Sequence, residues 1–495
     1  DKKVSELDLS ESSYLAGLPA SPTTYSPYGA NPELAKFRQR EVLKRMVEDE
    51  MITQKQADEA FAKELNIKPP TNEIHAPHFV MFIRSQLNEK YGERFVSQGG
   101  LKVQTTLDLS LQNKAQEIVA SEVEKIKNLN VSNGAAMITD AKTGQILAMI
   151  GSKNYWDEDG GKFNVATALR QPGSSIKPIT YATAFKTGYS PGNTVLDNPI
   201  SFKNFWETYT PVNYDGRFHG AVTIRTALGS SYNIPAVKML SAVGLPDMIK
   251  TASDLGITTL NEPNRYGLSL TLGGGEVMMT DMMTAYGTFS QNGKKYQVKG
   301  VIKITDTKGN LIEDNTNDPG QSVLPASVAY MIPDILSDNK ARTPAFGPNS
   351  LLNIPGHKIA VKTGTTDSKR DNVTYGYTPE YVVGVWVGNN NNAPMHPSLT
   401  SGVTGAAPIW NKIMLELLKN RPELAFEKPA EIITGNVDGR RDLMVLGMPA
   451  KSLIRQEGRR FRDEASGQVT DVITYTDPLT VYQSDQSGQP IQISR

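Results

Sequence analysis

Two periods of hydrophobic alternation run along this chain. In GAAMITDAKTGQILAMIG, from Gly134 to Gly151, two apolar runs flank a polar DAKTG, which predicts a β-hairpin. YQVKGVIKITDTKGNLIEDN alternates and turns at Lys308-Gly309, and HKIAVKTGTT (His357 to Thr366) and YGYTPEYVVGVWVGN read as adjacent strands. The longer period marks helices. Between Pro32 and Phe61, Leu43, Met46 and Val47 recur at i, i+3, i+4. Asn31 is expected to cap that stretch with Pro32 in its first position, and Thr53 with Gln56 forms a capping box for a second helix. FVMFIRSQLNEKYG is amphipathic. LKVQTTLDLSLQNKAQEIVASEVEKI passes from strand to helix with Asp108 or Ser110 as cap. A helix-rich stretch is expected from about Ser174 to about Phe289, and a last helix at Ala407–Lys419. Asn66–Pro77 is polar and Pro-rich and reads as a linker. After Pro422 the chain is polar and turn-rich, which predicts a small β-rich terminal domain. No internal repeat is evident.

Composition narrows this picture. The 495 residues suggest about three domains of ~150 residues, and 38% apolar with 21% charged residues is a globular balance. Lysine plus arginine equals aspartate plus glutamate, so no basic excess points to nucleic acid. There is no cysteine, which removes disulfides, thiol nucleophiles and Cys-ligated metals. No apolar run approaches the ~18 residues that span a bilayer; YVVGVWVG is of strand length. The chain starts at Asp1 without a signal-like segment and reads as a fragment of something longer.

The candidate chemistry begins in ALRQPGSSIKPITYATAFKTG. Pro172-Gly173 is a turn, Ser174 opens a helix, and Pro178 is tolerated in its first turn. Ser174 and Lys177 then share a helix face. A serine hydroxyl needs a nearby base, and a lysine serves as one when burial or a second cation lowers its pKa. The helix start offers N–H groups to a developing oxyanion. Ser-x-x-Lys alone is a weak signal and recurs at Ser337–Lys340, where a solvated turn explains it. Ser231-Tyr232-Asn233 supplies a second hydroxyl and an amide able to hold a peptide backbone. That pattern also recurs, at Ser152-Lys153-Asn154, Ser290-Gln291-Asn292 and Ser337-Asp338-Asn339.

Lys-Thr-Gly occurs three times, at Lys142, Lys186 and Lys362. The first lies in the predicted hairpin turn, where glycine supplies positive φ. The second ends a predicted helix, where lysine and glycine are ordinary stop signals. The third lies on a strand pattern, yet Gly364 is a poor strand former. Glycine inside a strand marks close approach of another backbone or a ligand. Ser174-x-x-Lys177, Ser231-x-Asn233 and Lys362-Thr363-Gly364 follow the order of serine enzymes that attack D-Ala-D-Ala peptides or β-lactams, with Tyr232 where class A β-lactamases carry Asp.

With these motifs the chain resembles a class A, bifunctional penicillin-binding protein of Gram-positive type. RQPGSSIKP, SSYNIPAVKM, LGGGEVMMTDMMTAYGTFSQNG, VKTGTTD, GYTPEYVVGVWVG and TGAAPIW resemble its transpeptidase text, and LSESSYLAGLPASPTTYSPYGANPELAKFRQREVLKRM the tail of its glycosyltransferase domain. The resemblance implies an α/β, multidomain chain with the penicilloyl-serine transferase fold, an antiparallel sheet flanked by helices. Its parts would be 1–75, a glycosyltransferase remnant and linker; 76–130, an interdomain linker domain; 131–421, the D,D-transpeptidase domain; and 422–495, a small β-rich C-terminal domain. By resemblance Ser174 is acylated, Lys177 is its base, and Ser231 and Lys362 relay the proton to the leaving amine. Asn233 binds the substrate amide, and Thr363, Gly364 and Thr365 complete the substrate-binding set, the two threonines holding a carboxylate. The N–H groups of Ser174 and Thr365 form the oxyanion hole.

No metal or cofactor is implied, and the Pro77 between His75 and His78 argues against a helical zinc pair. The implied partners are peptidoglycan stem peptides and β-lactams, with cell-division or elongation proteins compatible and nucleic acid excluded. The implied location is the outer face of the cytoplasmic membrane, with an anchor outside this fragment. Two alternatives stand behind this reading: a β-lactam sensor or silent scaffold, and a serine β-lactamase. No Glu-x-x-Leu-Asn stretch supports the second. The aromatic-rich segment NFWETYTPVNYDGRFHG fits a cleft lining and a packed surface loop equally well, and the run Met278, Met279, Met282, Met283 reads as core.

Overall fold

Strands whose two faces are both buried lose the polar–apolar alternation of a solvated sheet, and five such strands form the centre of this molecule. In the computed structural model, which describes residues 2–29, 31–68, 74–203, 208–366, 368–397, 403–462 and 469–477, they are β1 (Asn133–Asp140), β2 (Ile146–Ile150), β3 (Ala360–Thr365), β4 (Asp371–Tyr377) and β5 (Tyr381–Gly388). The sheet is antiparallel with order β3-β4-β5-β1-β2. Successive residues enter different cores. Ala135 and Met137 of β1 pack with Val382 and Trp386 of β5 on one face, and Ala136 and Ile138 with Val383, Val385 and Val387 on the other.

Helices cover both faces. They are α1 (Leu109–Lys125), α2 (Lys177–Lys186), α3 (Ile224–Gly229), α4 (Asn233–Val243), α5 (Met279–Ser290), α6 (Ala326–Leu336) and α7 (Ala406–Leu418). α1 and α7 close one face through Val119, Val123, Trp410 and Ile413. The other face carries α2, α4, α5 and α6 through Ile179, Leu240, Tyr286 and Ile332. Met279, Met282 and Met283 are buried in that layer as expected, whereas Met278, read as core with them, is only partly buried.

Most predicted elements form. Asp108 caps α1 by accepting from Leu111 N at 3.0 Å, and the hairpins turn where expected, including Val301–Thr305 with Leu311–Asp314. Two readings are corrected. The Asn31 side chain does not cap the helix: Pro32 itself takes helical angles, and the Asn31 carbonyl accepts from Leu34 N. The second correction concerns Ser174, described below. The segment from Ser174 to Phe289 is helix-rich as expected, with two short ribbons between its helices: Thr194–Asp197 pairs with Gly220–Thr223 and Phe202–Lys203 with Thr208–Tyr209. The β-branched and aromatic positions of these ribbons, among them Thr194, Val195, Phe202, Tyr209, Val222 and Thr223, favour strand.

The chain forms two compact units, Asp1–Ile74 and His75–Arg495. In the first, helices Leu9–Gly17, Glu33–Glu48 and Gln54–Ala62 pack through Leu43, Ala57 and Ala60, and the Thr53–Gln56 capping box is present. In the second, strand Lys102–Thr105 pairs with Val301–Thr305. The hairpin Ile432–Val437/Arg440–Val445 joins the main core through Ile432. Its Asp442 receives two bonds from Arg225 of α3, at 2.9 and 2.5 Å. Of the β-rich tail, residues 463–468 and 478–495 lie outside the described residues. Among the described residues no helix is long and apolar enough to cross a membrane.

Candidate active site

Three backbone segments meet where the candidate side chains converge, and glycine allows each approach. Ser174 lies in a 3-10 turn, Gly173–Ile176, and the α-helix α2 begins only at Lys177. This is the second correction: Ser174 precedes the α-helix that was expected to start with it. Gly173 has φ +54° and Pro178 follows at the helix start, so the tighter turn is imposed by the PGSSIKP text itself. A Cβ on Gly364 would lie 2.2 Å from Pro172 O and 3.0 Å from Ser175 N. The glycine in the strand therefore marks close approach of the Ser174 turn. A Cβ on Gly173 would meet Thr365 N at 2.7 Å, and one on Gly273 (φ +95°) would meet Gly173 N at 2.3 Å. The turn is held between β3 and the Gly273 loop with no room for a side chain. The buried Tyr286 of α5 fixes it further, donating to Ser175 O at 2.8 Å.

Lys177 is fully buried and donates to Ser231 O at 2.6 Å, Tyr232 O at 3.1 Å, Asn233 Oδ1 at 2.7 Å and Ser231 Oγ at 3.4 Å. Lys362, on β3, donates to the same Ser231 Oγ at 2.7 Å and to Thr363 O at 2.9 Å. Ser231 thus lies between two lysines, and burial pushes the Lys362 ammonium down to about 7. Ser174, Ser231, Asn233 and Thr365 are half-buried, while Lys362 and Thr363 are buried. Ser174, Lys177, Ser231, Asn233, Lys362, Thr363, Gly364 and Thr365 all fall in this one region, through contacts between the Ser174 turn, the α3–α4 junction and β3.

The α3–α4 junction explains Ser231. Ser231 N donates to Leu228 O at 3.1 Å and Tyr232 N to Ala227 O at 2.9 Å, the bond pattern of a Schellman helix end. Glycine usually occupies the left-handed position of that motif, but here it is Ser231, at φ +61°. A hydroxyl is kept where backbone strain opposes it.

The competing motif copies have structural uses. Thr143 donates to Asp140 Oδ1 at 3.0 Å in the β1–β2 turn, and Gly144 (φ +72°) packs on Gln297 O. Thr187 donates to Ala184 O at 2.9 Å at the end of α2. Asp338 in Ser337–Lys340 caps a helix, accepting from Lys340 N and Ala341 N. Ser152 donates to Gly161 O at 2.7 Å and Ser290 to Thr378 O at 2.8 Å. The sequence reading missed Tyr286, which carries no motif signal, and the packing role of Gly273, which the glycine run LGGGE signals.

The family described as "Penicillin binding protein transpeptidase domain" matches residues 134–414, which contain the whole cluster. The chain is 32% identical to "Penicillin-binding protein 2D" of Bacillus subtilis over 448 residues, covering 88% of this chain and 62% of that protein. It is 31% identical to "Penicillin-binding protein 1A" of Clostridium botulinum, covering 88% of this chain and 56% of that one. The chain thus spans under two thirds of the length of these two relatives. Its fold matches that of Penicillin-Binding Protein 1A from Haemophilus influenzae, with a TM-score of 0.77 over 91% of this chain and 87% of the other at 21% identity. On these matches and this site, the chain belongs to the penicillin-binding protein transpeptidase family, with class A proteins as its relatives.

Proposed function

We propose that this chain is a D,D-transpeptidase that cross-links peptidoglycan stem peptides through an acyl-enzyme on Ser174. The observation that carries the reading is Ser231 Oγ held between Lys177 Nζ and Lys362 Nζ, with Lys177 opening the helix that follows the Ser174 turn. Ser174 Oγ attacks the penultimate D-Ala carbonyl as Lys177 takes its proton. Collapse of the tetrahedral adduct breaks the C–N bond, and Ser231 and Lys362 pass a proton to the departing D-Ala amine. An amine from a neighbouring stem then attacks the ester and frees Ser174. Asn233 receives the substrate amide, Thr363 and Thr365 its carboxylate, and the N–H groups of Ser174 and Thr365 the oxyanion. Gly364 leaves room for the Ser174 turn.

A β-lactam amide enters the same sequence but leaves a stable ester. In the same reading residues 1–75 are a glycosyltransferase remnant and linker, 76–130 a linker domain, 131–421 the catalytic domain and 422–495 a β-rich terminal domain. The whole protein works at the outer face of the cytoplasmic membrane.

Intact mass after incubation with benzylpenicillin, followed by peptide mapping, tests the assignment. The expected result is a long-lived 1:1 adduct at Ser174 that Ser174→Ala abolishes. An adduct elsewhere sinks it, rapid recovery of free enzyme indicates a β-lactamase, and acylation without turnover of a D-Ala-D-Ala peptide indicates a sensor.

A further inference from the structure

Helix α4 begins at the site, yet its N-cap residue Tyr232 supplies no side-chain bond. The first N–H groups of a helix need partners, and here they come from 20 residues upstream. Asn213 Oδ1 accepts from Asn233 N at 2.8 Å and from Ile234 N at 3.3 Å. The neighbouring Val212 O accepts from Asn233 Nδ2 at 2.8 Å. The strap at 212–213 therefore grips Asn233 by backbone and side chain together, leaving Oδ1 on Lys177 Nζ.

The orientation of Asn213 is forced by charge. Its Nδ2 faces three acceptors: both oxygens of Asp197, at 2.8 and 2.7 Å, and Arg217 O at 2.8 Å. Asp197 is fully buried and Asn213 is 4% exposed. Asp197 also accepts from His219 N at 3.1 Å and lies 2.5 Å from His219 Nδ1. The His219 ring stacks on Tyr232, between Ser231 and Asn233, with centroids 3.9 Å apart. A buried carboxylate clamping one amide, which caps a helix at a catalytic motif, is a costly arrangement to build without a use.

We propose that Asn213, clamped by Asp197, is a positioning residue that sets the amide of Asn233 for the substrate's acylamino carbonyl. The inference rests on the proposed role of Asn233 as the residue that binds the substrate amide.

Two β-lactams separate positioning from general structural support. Benzylpenicillin carries an acylamino carbonyl, and 6-aminopenicillanic acid has a free amine there. The readout is the ratio of their acylation rate constants. Asn233→Ala should lower the ratio, and Asn213→Ala should lower it by roughly five- to a hundredfold, the range for losing one satisfied polar contact. Asn213→Asp sets two buried carboxylates face to face and should lower it too, whereas Asp197→Asn with Asn213→Asp restores a carboxylate–amide pair and should recover most of it. In the Asn213→Ala/Asn233→Ala double variant the ratio should fall no further than in Asn233→Ala.

Where a variant at 213 fails to fold, Asp197→Asn, which keeps the shape and loses only the charge, should still lower the ratio a few-fold. An unchanged ratio in Asp197→Asn, or equal slowing of both β-lactams by the Asn213 variants, overturns the positioning role alone. An unchanged ratio in Asn233→Ala overturns the amide-binding role of Asn233 and the positioning role with it.

Discussion

Lys362 Nζ and Ser231 Oγ are joined by a hydrogen bond of 2.7 Å between a strand and a helix end 131 residues apart. The lysine in this bond is buried, which lowers its pKa from the ordinary 10.5 to about 7. The bond is made to a neutral hydroxyl, so it does not offset the lost hydration of the charge. Between about pH 7 and 10.5 the unfolded chain holds a proton at this site that the folded chain does not. Stability therefore rises with pH across that window, by at most about 1.4 kcal/mol per pH unit. Below pH 7 both states are protonated and the slope vanishes. Lys362→Met keeps the aliphatic bulk and removes the titration. Urea unfolding of both proteins at pH 7.0, 8.0 and 9.0 should show the parent gaining on the variant as pH rises, and parallel curves would refute the low pKa.

Ser231 sits where a glycine would be unstrained, at φ +61°. Ser231→Ala and Ser231→Gly both remove the hydroxyl that Lys362 meets, so both should lose acylation to a similar degree. They differ only in backbone strain, because alanine keeps the Cβ that disfavours the left-handed region. Ser231→Gly should therefore be the more stable of the two, by about 1 kcal/mol, visible as a higher Tm. Equal melting temperatures would mean that the junction relaxes on losing its hydroxyl.

Gly364 tests the contact between β3 and the Ser174 turn. An added methyl would sit 2.2 Å from Pro172 O and 2.7 Å from Val373 Cγ2. Neither Pro172 O nor the sheet can give way freely, so Gly364→Ala should cost about 1–3 kcal/mol. It should also slow acylation by more than Gly144→Ala, whose clash with Gln297 O lies in the β1–β2 turn. Acylation in Gly364→Ala at the parent rate would show that the turn is free to move.

Much of the architecture was legible because it is written locally. The all-buried strands, the hairpin turns and the Asp108 cap each declare themselves within a few residues. Gly364 was legible too, since a glycine breaking a strand pattern has few structural uses. The rest depends on distant partners. Nothing near Asn213 in the chain says that it caps a helix starting at Asn233, and nothing near Tyr286 says that it pins Ser175 O. The strand order places β1 beside β5 across some 240 residues, which no local period encodes. The Ser-x-x-Lys spacing suits an α-helical period, yet the positive φ of Gly173 and the following Pro178 favour a tighter first turn at Ser174.

The three Lys-Thr-Gly copies can be separated by one experiment. Thr143 Oγ1 is committed to Asp140 in a turn, and Thr187 Oγ1 to Ala184 O at a helix end. Thr363 lies on β3 between Lys362, which reaches Ser231, and Gly364, which carries the Ser174 turn. Among the three copies, this is the one whose threonine hydroxyl has a proposed partner outside the protein, the carboxylate of a substrate or drug. Thr363→Ala should slow benzylpenicillin acylation by ~10–10³-fold, the range for losing a donor to developing or fixed negative charge. Thr143→Ala and Thr187→Ala should leave the rate within a few-fold, and each should cost roughly 1 kcal/mol or less in stability, read as a lower Tm. Stopped-flow acylation and thermal melting of the three variants together decide the matter. If Thr143→Ala or Thr187→Ala slowed acylation as much as Thr363→Ala at an unchanged Tm, the turn and helix-end roles would be insufficient, and the chemistry would not belong to the Lys362 copy alone.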